Sequence, residues 1–299
     1  MKRYLFLFFA LAWLPVCSQS IYLENDIRYA GESVEKVYHL DGKKSNPSCR
    51  ITINFFYPDL YADAYVLDKV QSRFIAEFFG LDYAVFSPKK AVKQYTKDFV
   101  RQYRDLYEQS GVFREEEKAA RARGEDIRDY VSYYIHERSM RNTILYNRAH
   151  VISQVINTYE YTGGAHGLSS TSGVNIDLNT GDLITYDDVF DKSAEAALSD
   201  LLLNKLYETY GVNTRAELDE LGFYFDELTP SRNFVLDDRG VTFIYGQYEI
   251  GPYVLGIIEL SLPYEQIHSL IKADSPVRRL FKYWIGKDEQ IIINRQQDE

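Results

Sequence analysis

Residues 233–264 read NFVLDDRGVTFIYGQYEIGPYVLGIIELSLPY, and this stretch decides the fold class. Asn233 to Leu236 and Val241 to Tyr245 are short runs rich in β-branched and aromatic residues. Asp237-Asp238-Arg239-Gly240 between them has the chemistry of a tight turn, so the pair reads as a hairpin. Leu255 to Leu262 supplies a third strand, and Pro263 opens a short helix holding Ile267, Leu270 and Ile271. Three strands in succession, with helices grouped to either side, give an α+β chain rather than the alternation that builds a doubly wound parallel sheet.

Moving toward the N-terminus, Ala197, Leu198, Leu201, Leu202 and Leu206 recur at helical spacing, with Asp191 or Ser193 as cap and Gly211 as stop. Ser172 to Leu178 reads as a strand, and Asn179 to Asp182 as a turn into Leu183-Ile184-Thr185. Alternation at Val131, Tyr133 and Ile135, then at Thr143 to Tyr146 and Val151 to Tyr159, predicts the strands that complete a first sheet. The nearly unbroken charge from Arg114 to Asp129 predicts a solvated helix or an excursion, not a binding arm. Two helical stripes precede it: Leu67, Val70, Phe74, Ile75 and Phe78 ending at Gly80, and Val92 to Leu106 opened by Ser87-Pro88. Cys49 alternates with Ile51, Ile53 and Phe55 on one face of a strand from Ser48 to Tyr57, which Pro58-Asp59 is expected to stop.

Lys2 and Arg3 followed by an apolar run from Tyr4 to Pro15 have the layout of a secretory leader, too short to span a bilayer. Ordinary cleavage before Gln19 satisfies the small-residue rule through Val16 and Ser18, whereas Leu14-Pro15-Val16-Cys17 would be a lipid-attachment site with Val at an unusual place. The expectation is an exported protein of the periplasm or cell surface, with a lipid at Cys17 as the second reading and no transmembrane segment in the mature chain. Losing Lys2 and Arg3 takes the formal charge from −10 to −12, which disfavours nucleic acid and favours cationic partners. Cys49 is left without an intramolecular disulfide partner and reads as a buried structural thiol.

Three segments in fixed order carry a resemblance: YTGGAHG at residues 161–167, NIDLNTGDLITYDDVF at residues 175–190, and the opening stretch at residues 233–264. Together they resemble the tandem extracytoplasmic domains of unknown function found in the anti-sigma factor RsiV and beside the catalytic domain of the peptidoglycan deacetylase PdaC. The resemblance implies two packed subdomains, mainly antiparallel sheets with helices on one face. Residues 1–18 would be the leader, 19–160 the N-terminal domain, 161–272 the C-terminal domain and 273–299 an extension. It also implies a binding or sensing role, because this region of RsiV senses lysozyme by binding it. The expected partner is therefore a cationic lysozyme-type protein or the wall glycan. A cytosolic sigma-binding segment with a membrane helix, and a metal-dependent deacetylase domain, are both expected to be absent.

No catalytic residue, metal or cofactor is expected. His39, His136, His150, His166 and His268 are the only histidines, and no two stand at metal-ligand spacing. His166 could serve a glycan-active hydrolase or deacetylase as general base with nearby carboxylates. No nucleophile motif accompanies it, so the preferred reading is that Gly163, Gly164 and Gly167 shape a strand connection that His166 fixes. Asp177 to Asp182 invites calcium, but its glycine falls at the fifth place and not the sixth, and no glutamate occupies the twelfth, so a hairpin turn explains it better. Asp187, Asp188 and Asp191 precede a helix and are read as caps. Tyr248, Glu249, Tyr253 and His166 are the candidate binding residues, with Gly251, Pro252 and Gly256 shaping their loop. An exposed row of Tyr245, Tyr248, Tyr253 and Tyr264 would suit a protein or glycan surface, and alternation equally allows half of them to line a core instead.

Overall fold

A computed structural model describes residues 25–281. The expected leader, Cys17 and the expected cleavage point at Gln19 lie outside the described residues, as does the chain after residue 281. The chain runs β1 (Ile27–His39), β2 (Ser48–Tyr61), α1 (Ala64–Phe79), α2 (Pro88–Arg104), α3 (Val112–Arg123), β3 (His136–Arg148), β4 (Val151–Tyr161), β5 (Leu168–Asp177) and β6 (Asp182–Leu183). It continues with α4 (Tyr186–Val189), α5 (Glu195–Tyr210), α6 (Arg215–Glu220), β7 (Phe234–Leu236), β8 (Gly240–Tyr245), β9 (Ile258–Pro263) and α7 (Tyr264–Ile267). The architecture is α+β, with one six-stranded and one three-stranded sheet.

Strands β1 to β6 lie side by side in sequence order, and every pairing is antiparallel except β2 with β3. That parallel pair needs a long crossover, which α1, α2 and α3 supply. Cys49, Ile51, Ile53 and Phe55 of β2 pack against Val70, Phe74, Ile75 and Phe78 of α1 to make the first core. Asp63 caps α1 by accepting from the backbone N–H groups of Tyr65 and Val66, and Gly80 closes it. Leu198, Leu202 and Leu206 of α5 pack with Leu236, Phe243 and Leu260 of β7 to β9 to make the second core.

Side-chain amides join the two sheets. Asn175 of β5 donates to Phe234 O at 2.9 Å and accepts from Leu236 N at 3.0 Å. Asn233 donates to Thr171 O at 2.7 Å and accepts from Gly173 N at 2.6 Å. The backbone crossing is so close that a Cβ on Gly173 would lie 2.3 Å from Phe234 O, so only glycine fits. The six-stranded sheet runs unbroken across residue 160, since β4 and β5 pair from Val151–Asp177 to Glu160–Leu168.

Three expectations fail at particular residues. β2 does not stop at Pro58-Asp59 but continues to Tyr61, because β3 pairs only as far as Asn54 and the proline N–H is not needed beyond it. The pairing with β1 shifts register at that place, and Gln71 Nε2 donates to Pro58 O at 2.7 Å. Residues 130–134 belong to a 3₁₀ segment, Ile127–Tyr134, and not to a strand. Asp126 caps it by accepting from Arg128 N, while Tyr134 meets Phe113 and Tyr107 edge-on at centroid distances of 5.4 and 5.3 Å. The last strand begins at Ile258, because Tyr253–Leu255 coil into a 3₁₀ turn. The charged stretch forms α3, anchored by buried Phe113 and Ala120 and otherwise solvated, as its composition predicts.

Candidate functional site

Two loops meet where the sheets adjoin. The first, between β4 and β5, contains the glycine-rich run. Gly163 has φ 92° and would drive a Cβ to 2.6 Å from Tyr133 O, Gly164 has φ 95°, and the Gly167 Cβ position is filled by the ring of Tyr159. The Tyr161 hydroxyl donates across the bend to Gly164 O at 2.8 Å.

The second loop, between β8 and β9, turns sharply after Tyr245. Glu249 N donates to Gly246 O, and Glu249 Oε2 accepts from Gly246 N at 2.7 Å. Tyr248 stands in this turn at φ 67°, a left-handed conformation uncommon for a large side chain. The Tyr224 hydroxyl holds it by donating to Tyr248 O at 2.9 Å. Pro252 starts the 3₁₀ turn, Gly256 ends it at φ 69°, and Gly251 lies against Leu255.

The loops are locked together by three contacts. Tyr253 donates through its hydroxyl to Gly167 O at 3.0 Å, and Gln247 Oε1 accepts from Ser169 N at 2.7 Å. The His166 ring lies over the Tyr253 ring with centroids 4.3 Å apart and planes 30° apart. Tyr248 extends the series, with its centroid 5.7 Å from that of Tyr253.

The four candidates His166, Tyr248, Glu249 and Tyr253 therefore come together, and three form an aromatic series at the surface. Tyr248 is 49% exposed, Val254 on the same loop 85%, and Leu168 beside the glycine run 50%. Exposed Glu220, Asp226, Glu227 and Glu249 lie on the segments that build this face. Arg215, the cation of that region, is occupied by Asp219 at 2.8 Å and by stacking on Phe225 at 3.8 Å. Tyr245 and Tyr264 face the second core instead, where burial raises both phenol pKa values far above their ordinary range. Asp188 sits apart from the site, closing a capping box with Thr185 at the start of α4.

His166 Nδ1 lies 3.2 Å from Gly167 O, and no carboxylate, thiol or serine hydroxyl hydrogen-bonds to it among the described residues. No group of three or more His, Cys, Asp or Glu is gathered for a metal ion among the described residues. Tyr159, Tyr224 and Gln247 complete the site and were not marked by sequence, because each acts through one long-range contact that no local pattern encodes.

Residues 187–265 match the family described as a protein of unknown function, DUF3298, and residues 43–169 match the family described as Deacetylase PdaC. A crystal structure of a DUF3298 member from Bacteroides fragilis is 31% identical, with a TM-score of 0.79 over 86% of this chain and 98% of that one. The chain belongs to the DUF3298 family. A DUF3298 protein from Pseudomonas aeruginosa shares the fold, at 14% identity and a TM-score of 0.58 over 84% of this chain and 97% of that one. No curated protein matches the chain. In this DUF3298 protein His166 falls within the PdaC match and Tyr248 and Tyr253 within the DUF3298 match, so the aromatic series is built by both matched segments. No helix among the described residues is long and apolar enough to cross a membrane.

Proposed function

We propose that this protein is an exported, non-catalytic binding protein of the cell envelope, and that the surface of His166, Tyr253 and Tyr248 receives its partner. Residues 19–160 and 161–272 act in this reading as one binding body, since β5 from the second stretch continues the sheet of the first. The observation that carries it is the convergence of His166, Tyr253 and Tyr248 from two loops, with Tyr253 fixed by its hydroxyl on Gly167 O and the backbone of Tyr248 fixed by the Tyr224 hydroxyl. Tyrosines held in this way give broad contact area at little entropic cost, which is the usual make-up of an interaction hot spot.

The fitting partner is a cationic protein of the lysozyme type. Exposed carboxylates on the segments around the aromatic rings, on a chain of formal charge −10, would steer a basic protein toward them. The wall glycan is the other ligand that stacked rings suit. His166 lacks the carboxylate partner that a general base would use, which supports binding over hydrolysis or deacetylation.

Affinity capture from envelope extract tests the reading, using the parent protein and the Tyr248→Ala/Tyr253→Ala double variant as baits. A partner held by the parent and lost by the folded double variant supports it. Equal capture by both baits places the interaction elsewhere.

A further inference from the structure

β1 is the edge of the six-stranded sheet, and the side facing away from β2 has no strand partner among the described residues. From Tyr29 to His39 it pairs with β2 in unbroken register, without bulge or proline. Natural edge strands are blunted by bulges, prolines or charged side chains, because a long regular edge is a template for another strand, and of these β1 carries over this span only the charges of Glu32, Glu35 and Lys36. Its backbone N–H and C=O groups invite a strand of matching sequence.

We infer that a second copy of this chain pairs there, with β1 antiparallel to β1 about a two-fold axis through Val34. In that register Glu32 lies directly opposite Lys36 of the second copy, and symmetry makes two such pairs. Neither Glu32 nor Lys36 joins an ion pair among the described residues, whereas Glu35 on the other face is already held by Arg50 at 3.2 Å. Ser33, which would lie opposite Glu35 of the second copy, is bonded to Asn54 and carries no charge.

Shape agrees with charge. Val37 lies opposite Gly31 of the second copy, and the Phe56 ring covers Gly31, where a Cβ would come within 3.0 Å of it. Val37 is 37% exposed and Phe56 49%, and the register brings each Val37 onto the second copy's Phe56. α2 packs over β1 and β2 of its own chain. The two-fold makes the interface isologous and closed, so it ends at a dimer.

Sedimentation equilibrium of the whole protein tests this, with twice the chain mass expected. Lys36→Glu sets like charges opposite one another and is expected to weaken the dimer at least tenfold, and adding Glu32→Lys is expected to restore it. Val34→Cys is expected to cross-link under mild oxidation, because Cβ atoms directly opposite lie about 4.5–5.5 Å apart. Val37→Cys is expected not to cross-link, since its two copies would be about 20 Å apart along the strands. A monomer at every concentration overturns the inference. So does a dimer that ignores Lys36→Glu, or one in which Val34→Cys fails to cross-link.

Discussion

The imidazole of His166 rests on the ring of Tyr253 at 4.3 Å, and Tyr253 reaches past it to hydrogen-bond Gly167 O at 3.0 Å. One tyrosine thus fixes the glycine-rich loop twice, through its face and through its hydroxyl. Removing either link alone leaves the other, which allows the ring and the hydroxyl to be tested apart.

Tyr253→Phe keeps the ring and removes one hydrogen bond, at a cost of about 1 kcal/mol in stability. Partner affinity is expected to fall less than tenfold. Tyr253→Ala also removes the stack and a central contact, so a loss of about 2 kcal/mol or more in binding, roughly 30-fold, is expected. Calorimetric titration of both variants gives the comparison, and equal losses would show that the hydroxyl alone matters.

Tyr248→Gly relieves the positive φ and removes a half-exposed ring. A bulky residue in the left-handed region costs on the order of 1 kcal/mol, so the variant is expected to melt no lower than the parent while binding more weakly. Scanning calorimetry with a binding measurement separates the two effects. A lower melting temperature would assign Tyr248 to stability.

Asn142 is buried where β2 and β3 part, and its amide bonds both the N–H and C=O of Phe56 at 2.8 Å as well as Gln154 Oε1 at 2.7 Å. It takes the place of backbone pairing where the strands diverge. Asn142→Ala leaves these buried groups unpaired and is expected to cost at least about 2 kcal/mol in urea unfolding. A change below about 0.5 kcal/mol would contradict that role.

Half-buried His136 lies between Tyr103 and Tyr107, with Nε2 2.9 Å from the Tyr107 hydroxyl, and burial lowers its pKa. The unfolded chain therefore takes up the proton first as pH falls. The stability held by neutral His136 is complete above the unfolded value near 6.5 and is lost as pH falls through the lower folded value. Urea midpoints are expected to drop between pH 7 and pH 5, and His136→Gln is expected to flatten that drop. An identical slope in the variant would contradict the assignment.

Much of the framework was readable because its signals are local. Val70, Phe74, Ile75 and Phe78 mark α1, Gly80 marks its end, and the alternation around Cys49 marks β2. β1 left no such signal, because an edge strand with glutamate, serine and lysine among its residues lacks a clean apolar face. Pro58 misled because a proline forbids pairing only on the side its N–H would have served. Tyr130 to Ile135 alternated like a strand, yet Tyr134 serves an aromatic cluster with Tyr107 and Phe113 that brings distant residues together. At the site the residue types stood out in sequence, whereas the His166–Tyr253 stack, the Tyr224 tether and the Gly173 crossing depend on how two sheets meet.

The most direct test is calorimetric titration of the protein with lysozyme at low and at physiological salt, beside an unrelated protein of equal basic charge. The account predicts specific binding to lysozyme that weakens as salt shortens the Debye length to about 8 Å, that survives at physiological salt, and that Tyr253→Ala abolishes or cuts at least tenfold. Binding to lysozyme no tighter than to the basic control, or binding indifferent to Tyr253→Ala, would contradict it.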